Sequence, residues 1–399
     1  MRSIKEILYS GHGPSSSHTI GPDKAVNYLL NKYQNIKFVK VTLFGSLALT
    51  GKGHLTDYII DCALKHIPHS IIFDNKQKMA HPNTMIFELT LEDGSIVIEN
   101  IASIGGGSLK INGQDTSAKD EIYPHNKLKD IIAYCEQNNL RLDEYVLRYE
   151  GEQIISYFHN IYQVMVNAIA RGIVTTGDLP GTLNVKRKAP SMFQKMIEEH
   201  KENDVSTNVA IASFAVAEEN ASGGLIAVAP TCGSAGVIPG IIKYMQLNNI
   251  TEQKVINGLL VAGLIGVLAK TNASISGAEA GCQAEIGVAC AMGAAMLASA
   301  LDFDNHAIAQ CAEVALEHSL GLTCDPIKGY VQIPCIERCA IFALKAINAV
   351  TVVNLLPKEA NKISFDDSLL TMYLTGKDLH VGYRETAKKG LAKIPLKNK

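Results

Sequence analysis

The sequence predicts a multidomain α+β chain: a small sheet-containing domain over residues 1–114, a linker at 115–126, and a large all-α domain over 127–399. Three observations predict it. Strand-period and helix-period stretches alternate through the first part of the chain. The run NGQDTSAKDEIYPHN, from Asn112 to Asn126, is polar and breaks the periodicity. Beyond Lys127 the strand signal almost vanishes and helix follows helix.

The elements follow in order. DKAVNYLLNKYQN (Asp23 to Asn35) has helical spacing, FVKVTLFG (Phe38 to Gly45) reads as a strand, and TDYIIDCALKHI (Thr56 to Ile67) is helical again. SIIFD, TMIFELTL and GSIVIENI read as strands, the last two joined at Glu92-Asp93-Gly94. Strands paired by hairpins, with two helices, give the α+β pattern. In the second domain KLKDIIAYCEQN, EQIISYFHNIYQVMVNAIARGIV and HAIAQCAEVALEHSLG read as helices. Two runs, Val255 to Ala269 and Ile286 to Leu301, are apolar on most faces. Both fall short of the roughly 20 residues a bilayer needs. Lys270 and Asp302 close them, and they are expected to be buried core helices.

The 399 residues carry a formal net charge of -2, so nothing electrostatic calls for nucleic acid or an anionic membrane as partner. The start MRSIKEILYSGHG has no apolar h-region, and no secretory signal is read there. A reducing cytoplasm is therefore expected. In it nine cysteines are ligands, catalytic groups or core thiols sooner than disulfides.

Three cysteines stand at helix breaks. Cys282 lies in SGAEAGCQAE, Cys324 in TCDP and Cys335 in PCIER. Pro334 suits a first helical position and puts Cys335 near a helix N-terminus, where the dipole stabilises a thiolate. Asp325-Pro326 cannot continue a helix, so Cys324 is expected at a turn. The residues alone leave ligands and buried core thiols both open. Were they ligands, the absence of a C-x2-C pair weighs against structural zinc, and three separated thiolates suit an iron–sulfur cluster with one iron lacking a protein ligand. Cys339 is assigned to the core or the surroundings of such a site. Cys62, Cys135, Cys232, Cys290 and Cys311 are assigned to the core.

The small domain offers a second group. Ser15, Ser16, Ser17, His18 and Thr19 precede Pro22 and a predicted helix, which makes either a polar N-cap loop or an anion site. GSLALTGKGHLTD resembles a phosphate loop but fails: five residues separate Gly45 from Gly51, and Gly53 follows Lys52. What remains is a Gly-rich turn presenting Lys52 and His54. His81 lies in HPN before a strand. A loop histidine titrates near neutrality and can act as a base.

GPSSSHTIGP, GSLALTGKGH, HPN and IGGGS, followed by NASISGAEAGCQAEIGVAC and EHSLGLTCDPIKGYVQIPCIER, resemble the iron–sulfur-dependent bacterial L-serine dehydratases in their single-chain form. The resemblance covers nearly the whole chain. It implies deamination of L-serine to pyruvate and ammonia, with a [4Fe-4S] cluster on Cys282, Cys324 and Cys335 whose open iron binds the serine hydroxyl. It implies a homodimer, and a small domain similar to the allosteric substrate-binding domain of a phosphoglycerate dehydrogenase class. Within that frame His54 is the expected base, assisted by His81. Ser15, Ser16, Ser17 and His18 would bind the substrate carboxylate, with Lys52 beside them. Asn272 and Ser274 would line the pocket near the cluster. The chain departs from the family at Cys232 and Cys339, where asparagine is usual, and its end, GLAKIPLKNK, has no cysteine to insert into the site.

Rival expectations are a pyridoxal-phosphate enzyme, for which IGGGS is the sole candidate loop and no lysine has a distinctive setting; a non-catalytic serine sensor; and the same fold acting on threonine or cysteine.

Overall fold

A computed structural model describes residues 1–105, 107–116, 121–357 and 362–395. Part of the expected linker and Gly106 of IGGGS lie outside the described residues. The chain forms two compact units. One comprises Gly11–Lys119 with Ser222–Gly224, the other Met1–Ser10, Asp120–Ala221 and Leu225–Lys399.

The small unit is built on a six-stranded sheet. Its strands are β1 (Ile36–Phe44), β2 (His69–Asp74), β3 (Thr84–Leu91), β4 (Ile96–Gly105), β5 (Ser108–Ile111) and β6 (Gln114–Asp115), in spatial order β2-β1-β3-β4-β5-β6. Val39, Val41 and Leu43 alternate into the core while Phe38 and Lys40 point away, the period of a half-buried strand. β1 and β2 are parallel, so their connection must cross over, and the helices Gly45–Thr50 and Thr56–Leu64 do so. The remaining pairs are antiparallel. Ala25, Val26 and Leu29 of the helix Gly21–Lys32 join Ile59, Ile60 and Leu64 over one sheet face.

Two sequence expectations change here. Asn112-Gly113, read as the onset of the polar break, is a two-residue hairpin turn between β5 and β6. Both residues have positive φ, the geometry Asn-Gly favours. GSLALT, read as part of a Gly-rich turn, is a short helix.

The helical unit buries two helices almost all round, Glu252–Asn272 and Val288–Ala300. Small residues let them approach: a Cβ on Gly258 would lie 2.7 Å from the Met296 carbonyl oxygen. Each fully buried Leu or Ile along them contributes about 1.5–3 kcal/mol. The first of these helices and the continuous helical stretch Gln283–Ala300 reach 21 and 18 residues, longer than their apolar runs suggested and sufficient in length and composition to cross a bilayer. Burial of 78% and 94% of their apolar windows inside the protein marks them as core helices. Residues 1–10, grouped with the small domain by sequence, belong to this unit because Ile4, Ile7 and Leu8 are completely buried in its core. The unit also contains a short strand, Leu225–Val228, so it is not wholly α.

Candidate metal centre

Cys282 caps a short turn, Gln283–Gly287, that runs into the buried helix Val288–Ala300. Gly281 before it has φ 74°, a left-handed bend that a side chain would strain. The Cys282 amide donates to the Leu322 carbonyl, which ties the two cysteine segments together. Cys324 is extended. Its N–H donates to Tyr383 O at 2.7 Å and its carbonyl accepts from the Glu385 N–H at 2.7 Å. Cys335 is the first residue of the helix Cys335–Leu355, with Pro334 at the cap itself.

The ligand atoms of Cys282, Cys324 and Glu285 all lie within 4.8 Å of one another. Cys324 Sγ is 3.5 Å from Glu285 Oε2. Glu285 follows Cys282 by three residues, one helical turn, which sets both side chains on one side. Sequence reasoning missed it. The i, i+3 spacing from Cys282 is the signal that would have found it. Cys335 stands outside this tight group, yet close enough that the Cys282 and Glu285 charges raise its thiol pKa. Gly277 has no Cβ where one would meet Glu285 Oε2 at 2.3 Å and Cys324 Sγ at 3.0 Å.

Electrostatics separate the thiols. A hydrogen bond from Cys324 holds Cys282 at about 7 against burial, helped by the Arg338 guanidinium. Burial drives Cys335 well above the ordinary thiol range, so the dipole expected to favour its thiolate is outweighed. A bound cation reverses that balance. Burial, then the Cys282 charge, raises Glu285 to about 7. Cys339 is buried, its Sγ 3.4 Å from Gly233 O, and burial pushes it up to about 12. Cys232 is buried at the start of the turn Cys232–Ser234. Cys135, Cys290 and Cys311 are core thiols, whereas Cys62, expected there too, is exposed on its helix.

Asn272, at the end of the helix Glu252–Asn272, and Ser274, in the loop after it, both have hydrogen-bond partners. The Asn272 amide donates to the Asn126 and Leu268 carbonyls. The Ser274 hydroxyl donates to Glu279 at 2.5 Å and accepts from the Ser276 N–H.

In the small unit the structure gathers His18, His54 and Ser15, with two hydroxyls that the sequence had not singled out. The imidazoles of His18 and His54 stack with centroids 4.6 Å apart. His18 Nε2 meets Ser46 Oγ at 3.1 Å and Thr50 Oγ1 at 3.0 Å, and Ser15 Oγ lies 3.4 Å from its Nδ1. Ser46 and Thr50 are four residues apart on the helix Gly45–Thr50, hence on one face. His54 Nδ1 is 3.0 Å from the Thr50 carbonyl. Burial, with the His54 charge, pushes His18 down to about 3, and burial lowers His54. Ser16 and Ser17 form the first turn of the segment Ser16–Ile20 rather than a loop. The HPN segment packs on the Gly45 turn, where the Ser46 N–H donates to Pro82 O, while His81 Nδ1 accepts from the Asn83 N–H. Lys52 is exposed and lies over the Phe73 ring.

The helical unit holds a thiol-and-carboxylate group of the kind that could hold a metal ion, and the sheet-based unit holds a stacked histidine pair. Residues 72–392 match the family described as serine dehydratase alpha chain, and residues 3–68 match serine dehydratase beta chain. The chain is 37% identical to an L-serine dehydratase of Haemophilus influenzae, over 98% of this chain and 99% of that one. It is 37% identical to L-serine dehydratase 2 of Escherichia coli, over 98% of each, and 35% identical to an L-serine dehydratase of Helicobacter pylori, also over 98% of each. The chain belongs to the serine dehydratase family. The junction of the two family segments, between 68 and 72, falls within β2 and not between the compact units.

Proposed function

We propose that this chain converts L-serine to pyruvate and ammonia, using a [4Fe-4S] cluster on Cys282, Cys324 and Cys335. The observation that carries the reading is the convergence of Cys282 and Cys324 with Glu285 inside 4.8 Å. The donor set suits iron: thiolates dominate it, and the missing Cβ at Gly277 leaves room beside Cys324. When bound, the cluster supplies a Lewis-acidic iron to the substrate hydroxyl.

The residues of the chain do the rest. His54 is the base for the α-proton. A carbonyl only accepts, so His54 Nδ1 carries its hydrogen toward Thr50 and Nε2 keeps a free lone pair. The lowered pKa keeps that nitrogen unprotonated at neutral pH. His18 is a fixed neutral ring, anchored by Ser15, Ser46 and Thr50, and with Ser15, Ser16 and Ser17 it offers donors for the substrate carboxylate. His81 assists from the adjoining segment, and Lys52 adds a positive charge nearby. Asn272 and Ser274 line the pocket beside the cluster. The protein acts in a reducing cytoplasm as a homodimer in this reading; an exposed stripe of Leu370, Tyr373 and Leu374 on the helix Phe365–Asp378 supports association.

The test is anaerobic pyruvate release with serine, threonine and cysteine as substrates. His54→Ala is expected to lose turnover by at least about a hundredfold while keeping the visible absorbance of the cluster. Undiminished turnover would remove His54 from the mechanism, and pyruvate formation absent in the unsubstituted chain would favour the sensor.

A further inference from the structure

We propose that Glu285 is a fourth protein donor of the metal site, an oxygen ligand that covers the substrate's position until substrate arrives. The inference rests on the cluster reading above and adds to its ligand set.

Its carboxylate lies within the same 4.8 Å group as the Cys282 and Cys324 sulfurs, so it faces the same space as the two thiols. Three further observations show that the position is built. The Thr231 hydroxyl donates to the carboxylate and orients it. Gly277 gives up its side chain at the point where a Cβ would come within 2.3 Å of Oε2. Glu285 also sits on the first turn of a segment leading into a wholly buried helix, so its backbone is fixed.

The charge balance points the same way. Among the described residues no lysine or arginine forms an ion pair with Glu285. Arg338, whose charge reaches Glu285, makes its own contacts with the Thr323 carbonyl, Asp325 and Cys282. A partly buried carboxylate facing thiols, with no cation of its own, is costly to keep charged. A metal ion supplies the missing positive charge. A mixed set of thiolates and one carboxylate gives three strong soft donors and one weaker, exchangeable hard donor. The hard donor is the one a substrate hydroxyl can replace. A cluster held by three cysteines alone exposes its fourth iron to oxidants, and Glu285 shields it while the enzyme rests.

The experiment uses the full chain purified without oxygen, as wild type, Glu285→Gln and Glu285→Asp. Iron and sulfide analysis of the wild type comes first, and its result bears on the cluster itself. Each protein then receives a limited amount of ferricyanide, and electron paramagnetic resonance follows the three-iron cluster left when the fourth iron departs. The Gln variant should lose that iron roughly tenfold or more faster, the scale of losing one partner of a metal site, with Asp in between. Equal rates in wild type and Gln overturn the proposal while leaving the cluster reading intact. If the Gln variant fails to load iron, cobalt(II) added to cluster-free full chain reads the same donors: about tenfold weaker binding than wild type supports the proposal, and equal binding overturns it.

Discussion

At the residue scale the two histidines carry a pH signature. His18 is held at about 3 by burial and the His54 charge, far below an unfolded histidine near 6.5. The unfolded state therefore binds the extra proton first as pH falls. The stability this neutral ring contributes is complete above about 6.5 and drains away between there and about 3, with a slope of at most about 1.4 kcal/mol per pH unit. Denaturant unfolding at a series of pH values should show His18→Gln with a flatter dependence than wild type below pH 6.5. An unchanged slope would mean that the ring is not buried neutral. The same scale shows what the sequence conceals. Ser46 and Thr50 look like two hydroxyls in a Gly-rich turn, and only the six-residue helix puts them on one face against His18. Glu285 hides in an Ala-rich run three residues after Cys282, and only a helical turn there brings the two side chains alongside.

At the element scale the sequence is most legible where burial is one-sided. β1 alternates cleanly because one sheet face packs under helices, and the predicted strands overlap those observed, with ends shifted by one or two residues at Gly45 and at Gly94-Ser95. Burial on all sides erases that periodicity. The helices Glu252–Asn272 and Val288–Ala300 could be recognised as buried but not oriented, since no polar face says which way they point. Leu225–Val228, four residues long, has too short a pattern to separate from its helical surroundings. Residues 1–10 carry buried apolar side chains whose partners lie far away in sequence, as with Ile4 against Gly263. The close approach of the core helices makes its own prediction. Gly258→Leu forces a side chain onto the Met296 backbone, and thermal unfolding should report a loss of about 1–3 kcal/mol. A Tm equal to wild type would mean that these helices are not packed as tightly as described.

At the scale of the whole molecule, each compact unit carries its own cluster of polar groups, thiols and a carboxylate in the helical one and a stacked imidazole pair in the sheet-based one. Cys282 lies far from Cys324 in sequence, which is why only the fold can bring the two together. The measurement that tests the account most directly is iron and acid-labile sulfide in protein purified without oxygen, for wild type and Cys324→Ser. The account predicts about four of each per wild-type chain and a collapse of both in the variant. Colourless wild-type protein that still releases pyruvate from serine, or a Cys324→Ser variant with full iron and sulfide, would contradict it.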